Sequence, residues 1–226
     1  MSKLIIIGLG GIGGALAEPM ARYLAHGKGC RQILLVDGDR YESKNAERQK
    51  VAHDEVGQHK ADAWSRRLSR LFKELDVKAV AGYVTPANIA KLIVSGDTVM
   101  LCVDNHATRK LVQEHMLRFR DAVLISGGND YTDGNVQIFV KQKGRVITPP
   151  ITRHHPEIEF PRDRRPDEIG CNEEIPESPQ LIFTNFTAAT LMMNAYHSIA
   201  AGGVPAYTEV YFDIGANTAR AVKRKT

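Results

Sequence analysis

Short apolar blocks recur along the chain, separated by stretches whose apolar positions return every three or four residues. Leu4-Ile5-Ile6-Ile7 is a β-branched run closed by glycine, the pattern of a strand buried on both faces of a parallel sheet. Residues 12–26 then carry helical spacing through Ile12, Leu16, Met20 and Leu24, with Pro19 as a point of expected kinking. Ile33-Leu34-Leu35-Val36 predicts a second buried strand, ending at Asp37. A helix is predicted over 57–73 with Trp64, Leu68, Leu71 and Phe72 on one side, and a third strand over Val77 to Val84. Thr98 to Val103 predicts a fourth strand, 106–119 a helix, and Ala122 to Ile125 a fifth strand.

The pattern then changes. Asn135 to Val140 alternates apolar and polar, the mark of an antiparallel strand with one wetter face. Residues 148–179 hold seven of the ten prolines and few apolar residues. A loop of that length inside a compact domain is usually functional. A helix follows over 180–200, then strands at Glu209 to Phe212 and 218–222. Strands alternating with helices predict an α/β, doubly wound, Rossmann-like, mainly parallel sheet, extended by antiparallel strands at one edge. Ligands of such sheets bind beyond the carboxyl ends of the strands, where Gly8, Asp37 and Asp104 fall.

Composition narrows the classes. The chain has 226 residues, 43% hydrophobic and 25% charged, with a net charge of +4. These values suit one globular α/β domain spanning 1–226. The small basic excess has no stripe interleaved with aromatics, so no nucleic-acid partner is expected. Cys30, Cys102 and Cys171 are widely spaced and form no C-x-x-C, which argues against structural zinc and disulfides and for a reducing compartment. Leu4 to Leu9 reads as a strand entering a glycine turn, not as a signal peptide. No apolar run approaches a bilayer span, so the expectation is a soluble, cytoplasmic protein without a membrane partner.

The chemistry starts at Gly8-Leu9-Gly10-Gly11-Ile12-Gly13, a G-x-G-x-x-G placed after a strand and before a helix. Gly8 permits the tight turn, Gly10 and Gly11 let phosphate approach the backbone, and Gly13 lets helix and strand pack closely. The helix N-terminus then favours phosphate charge. Asp37, closing the next strand, stands where a carboxylate grips ribose hydroxyls. This motif alone suggests NAD and an oxidoreductase.

Three further clusters point elsewhere. Asp37-Gly38-Asp39 is followed by Asn45-Ala46-Glu47-Arg48-Gln49, then by Gly57-Gln58-His59-Lys60, then by Asp104-Asn105-His106-Ala107-Thr108-Arg109. Together they read D-x-D-x(5)-N-x-x-R-Q, G-x-x-K and D-N-x-x-x-R. At these residues the chain resembles the ThiF/MoeB/HesA family, whose adenylation domain is shared with ubiquitin-activating enzymes. The resemblance is strong over residues 3–140 and looser beyond. It implies an ATP- and Mg²⁺-dependent adenylyltransferase acting on the C-terminal carboxylate of a small ubiquitin-like (β-grasp) or sulfur-carrier protein or peptide. It also implies a homodimer, and a crossover-type loop at 148–179.

The residue types fit that chemistry. A carboxylate that attacks the α-phosphate and expels pyrophosphate needs distributed positive charge and a metal. Arg48 offers a planar fork for phosphate oxygens and Lys60 a point charge. Asn45, Gln49, Asp39 and Asn105 add neutral or acidic partners for phosphate or ribose. Asp104, closing a buried strand, is a hard oxygen ligand for Mg²⁺. Each has a plainer alternative: Arg48 and Lys60 as surface charges, Asp104 as the cap of the next helix. Cys171, in the long loop, matches a region where relatives carry a nucleophilic cysteine. Its acidic neighbours Asp167, Glu173 and Glu174 argue against a reactive thiolate. Cys30 and Cys102 read as core residues. The family also often carries an arginine on a helix before the first strand, whereas here that strand opens by Lys3. A nucleotide-binding scaffold subunit without catalysis is therefore a further reading.

Overall fold

The computed structural model describes residues 2–27, 30–169 and 180–226. Its centre is β1 (Leu4–Ile7), flanked by β2 (Gln32–Val36) and β4 (Thr98–Leu101), both parallel to it. β3 (Asp76–Val80) adds to β2, and β5 (Ala122–Asn129) to β4, also in parallel. The sheet then reverses. β6 (Asp133–Gln142), β8 (Glu209–Asp213) and β9 (Thr218–Val222) continue it antiparallel, giving the order β3-β2-β1-β4-β5-β6-β8-β9. β7 (Arg145–Val146) pairs with β6 as a short hairpin. The expected mainly parallel sheet with an antiparallel edge is what forms.

Alternation along β1 explains its apolar run. Leu4 and Ile6 enter the core under α1 (Gly11–His26), α2 (Lys60–Leu71) and α6 (Ile182–Ala200). Ile5 and Ile7 enter the opposite core, with residues of α3 (Ile89–Leu92), α4 (His106–Leu117) and α5 (Pro156–Glu159). All four are buried, each worth roughly 1.5–3 kcal/mol. α1 runs unbroken through Pro19, which lies on its exposed face.

Several elements differ from the sequence pattern. The third strand stops at Val80, because Gly82 and Tyr83 turn away from the sheet edge toward the carboxyl end of β2. Leu71 is exposed and Phe72 takes the buried place at the end of α2. β5 runs on to Asn129 through two glycines. A Cβ on Gly127 would strike Met192 of α6, and one on Gly128 would lie 2.8 Å from the Arg109 guanidinium. Those glycines are strand positions overlain by large side chains.

The segment from 148 onward also carries structure. Ile151 and Ile158 are buried in the α4-side core, α5 spans Pro156–Glu159, and a 3-10 turn spans Pro166–Glu168. Cys171 lies outside the described residues.

Candidate functional site

The turn between β1 and α1 organises the site. Gly8 has φ +85°, a left-handed conformation, and a Cβ there would lie 2.8 Å from the Cys102 carbonyl oxygen. Gly13 sits beneath the turn, where a Cβ would strike the Gly8 carbonyl. Gly10 precedes α1, and its carbonyl accepts the Gly14 N–H at 2.9 Å. A cleft of about 1360 Å³ opens above this turn at the carboxyl ends of β1, β2 and β4. Gly8, Gly10, Gly11, Asp37, Asp39 and Asn45 line it, as do Arg48, Gln49, Lys60, Asp104 and Asn105. Of the expected site residues among the described ones, only Gly13 stands back from the cleft, in the packing role expected of it.

Asp37 ties the turn to β2. Its Oδ2 accepts the Leu9 N–H at 2.5 Å and its Oδ1 the Asp39 N–H at 2.8 Å. Burial, reinforced by the Asp39 charge, pushes its carboxyl above the usual carboxylate range. Asp39 behaves oppositely. Burial opposes its charge, but Lys60 and the Tyr83 hydroxyl outweigh that and hold it low. Lys60 Nζ lies 2.9 Å from Asp39 Oδ2, and Tyr83 Oη donates to Oδ1 at 2.5 Å. Lys60 is thus a buried cation at the first turn of α2, not a surface charge.

The loop before α2 presents the other groups. Asn45 is buried and its Oδ1 accepts the Glu42 N–H at 2.9 Å, closing a 3-10 turn over Ser43–Glu47. Its carbonyl accepts the N–H groups of Arg48 at 3.1 Å and Gln49 at 2.8 Å. Asn45 therefore shapes the loop that aims those two side chains. Arg48 Nη1 donates to Gln180 Oε1 at 2.8 Å. Gln49 Oε1 is buried without a partner among the described residues.

On the β4 side, Asn105 and not Asp104 caps the helix: its Oδ1 accepts the Thr108 N–H at 2.8 Å. Asp104 stays exposed at the cleft without a hydrogen bond among the described residues. Its hard oxygens suit a divalent cation that completes its shell with phosphate oxygens and water. Among the described residues no group of three or more His, Cys, Asp or Glu could hold a metal alone. Arg109 is a strut. Its guanidinium donates to Ser126 Oγ at 2.6 Å, Val103 O at 2.6 Å and Gly127 O at 2.8 Å, joining the ends of β4 and β5.

Sequence reasoning passed over three features. Tyr83 covers Gly38 so closely that a Cβ there would lie 2.6 Å from its ring. Asp163 of the long segment accepts the His106 and Ala107 N–H groups at 2.7 and 2.9 Å, pinning that segment to α4. Beyond Asp104, the cleft continues over Asn135 and Gln137 of β6, Tyr211 of β8 and Arg220 of β9. None carries a local motif; the fold alone brings them to the cleft. Cys102 packs under the glycine turn, and burial pushes its thiol up to about 12. Cys30 donates to the Ser2 carbonyl at 3.0 Å. Both pack against the core, as expected.

The profile of the ThiF family matches residues 1–200. The chain belongs to the ThiF family. This ThiF chain is 32% identical over 145 residues to the adenylyltransferase and sulfurtransferase MOCS3 of Drosophila ananassae, covering 63% of itself and 31% of that protein. It is 31% identical over 144 residues to the molybdopterin-synthase adenylyltransferase of Escherichia coli K12, covering 63% of itself and 55% of that enzyme. The chain thus spans between about a third and just over half of these curated relatives. Among solved structures, Escherichia coli MccB with ATP superposes with a TM-score of 0.73 at 18% identity, covering 99% of this chain and 64% of that one. That likeness bears out the Rossmann-like fold. No helix among the described residues is long and apolar enough to cross a membrane.

Proposed function

We propose that this ThiF protein is an ATP-dependent adenylyltransferase. In this reading it activates the C-terminal carboxylate of a small ubiquitin-like or sulfur-carrier protein, or of a peptide. Residues 1–226 act as one adenylation domain. The observation that carries the reading is the convergence of Arg48, Lys60, Asp104 and the glycine turn on a single cleft. Hydride transfer has no use for two cations and a metal-type carboxylate there. The relatives named above are adenylyltransferases, and MccB structures include complexes with ATP and with AMPCPP and MccA.

ATP lies with its phosphates over Gly10 to Gly13 and its ribose between Asp37 and Asp39. An acceptor carboxylate oxygen attacks the α-phosphorus, the bond to the bridging oxygen breaks, and pyrophosphate leaves with that electron pair. Charge grows on the bridging oxygen, so cations already fixed nearby favour the transition state over the ground state. Arg48 and Lys60 serve there, Lys60 being held by Asp39 before the reaction. Asp104 would hold Mg²⁺, which would neutralise charge developing on the departing pyrophosphate. The acceptor tail enters along the cleft over β6, β8 and β9.

A homodimer, also implied by the resemblance, has an apolar surface available at Ile182, Phe183 and Phe186 of α6, all exposed; light scattering tests it. The activity is tested by ATP–pyrophosphate isotope exchange with candidate acceptors, in which a cognate tail drives label into ATP.

A further inference from the structure

Asn185, in the first turns of α6, is 1% exposed, and neither its Oδ1 nor its Nδ2 has a partner among the described residues. A buried amide without a hydrogen bond is costly, and native structures leave few such groups unexplained. The location of this one is specific. Its amide lies against Gly11, filling the space that a Cβ on Gly11 would take. Gly11 opens α1, whose first-turn N–H groups have no intrahelical acceptor and favour an anion. On the other side of the same turn, Gln49 Nε2 lies 3.9 Å from where a Gly10 Cβ would stand, and Gln49 Oε1 is also unpaired.

Two carboxamides therefore lie beside Gly10 and Gly11: Gln49, with its oxygen unpaired, from the loop before α2, and Asn185, with both polar atoms unpaired, from α6. Gly11, Arg48 and Gln49 line both the main cleft and a second groove of about 770 Å³ in which Asn185 takes part. Asn185 itself lines the second groove, and Asp37, Asp39 and Asp104 line the main cleft; Gly11, against which the Asn185 amide packs, belongs to both. A donor at that place meets the far end of a nucleotide whose ribose lies at Asp37.

We propose that Asn185 binds the terminal phosphates of ATP, its Nδ2–H donating to a β- or γ-phosphate oxygen, and so sets the preference for triphosphate over monophosphate. This inference rests on the nucleotide placement proposed above. A neutral donor suits the role, because it marks the triphosphate without adding a further cation to hold the pyrophosphate that must leave.

The test is calorimetric titration of the full chain with ATP and with AMP, for wild type, Asn185→Asp and Asn185→Ala. Asn185→Asp keeps the shape and sets a carboxylate beside the phosphates. ATP affinity should fall about tenfold or more, while AMP affinity stays within about twofold of wild type. Asn185→Ala should show the same selectivity with a smaller loss. If either variant fails to fold, wild type labelled with ¹⁵N-asparagine decides. A buried side-chain amide signal should shift with ATP and not with AMP, and equal shifts with both overturn the inference. Equal losses for both nucleotides, or unchanged ATP affinity in Asn185→Asp, also overturn it and leave the adenylyltransferase reading standing. A wild-type chain that binds neither nucleotide defeats both.

Discussion

Asp37 does two things with one carboxylate. It fixes the glycine turn through the Leu9 N–H, and it faces the cleft where a ribose would lie. Asp37→Ala should weaken ATP binding by about 1.5–3 kcal/mol, the range for hydrogen bonds to a charged acceptor; unchanged affinity by calorimetry would refute the ribose assignment. In the proposed reaction, Arg48, Lys60 and Asp104 act where charge grows. Single alanine variants should slow pyrophosphate exchange by about 10²-fold, with a smaller effect on ATP affinity. An Asp104→Ala variant that exchanges at the normal rate under limiting Mg²⁺ would remove the metal role. These residues were legible in the sequence because short local spacings carry them. Tyr83, Asn185 and Arg220 were not, since they reach the cleft, or in the case of Asn185 its glycine turn, from elements far apart in the chain. Asn45 and Asn105 were legible as members of the site but not in manner: each spends its side-chain oxygen on a local turn or cap.

At the level of elements, the 148–169 segment was the hardest to read. Its prolines and charges suggested a loop gaining little from burial, yet Ile151, His155 and Ile158 are buried. His155 anchors it: Nε2 lies 3.0 Å from Glu209 Oε1 of β8 and Nδ1 lies 3.0 Å from Glu157 Oε1. Arg224 Nε donates to Glu209 Oε2 at 2.8 Å. Burial opposes both charges, but these hydrogen bonds outweigh it, raising the His155 pKa and holding Glu209 down at about 2. The raised His155 contributes stability that is full below its unfolded value of about 6.5 and lost as pH rises through its folded value. The lowered Glu209 contributes stability that is present above about 4.3 and lost as pH falls toward its folded value. Urea midpoints should therefore peak between those limits on account of this cluster. Glu209→Gln should cost about 3 kcal/mol and flatten the profile on both sides. A variant with the wild-type profile would show that the cluster does not anchor the segment. β5 teaches a related lesson: Gly127 and Gly128 look like strand breakers until Met192 and Arg109 are seen lying over them.

For the whole molecule, strand order assembles the cleft. Placing β1 between β2 and β4 brings the glycine turn, Asp37 and Asp104 to one rim. Continuing the sheet antiparallel through β6, β8 and β9 extends that rim, so that Asn135, Tyr211 and Arg220 line the same cleft. This architecture was legible early, because fully buried apolar runs and alternating ones mark parallel and antiparallel strands differently. The identity of the proposed acceptor was not, because in this account it depends on a surface assembled from distant strands. The most direct measurement is ATP–pyrophosphate exchange by the full chain with Mg²⁺, against a panel of peptides and β-grasp proteins with free C-terminal carboxylates. The account predicts label entering ATP only with a cognate acceptor, and none once that carboxylate is amidated. Exchange that is indifferent to amidation, or a chain that binds NAD more tightly than ATP and exchanges with no acceptor, would contradict it.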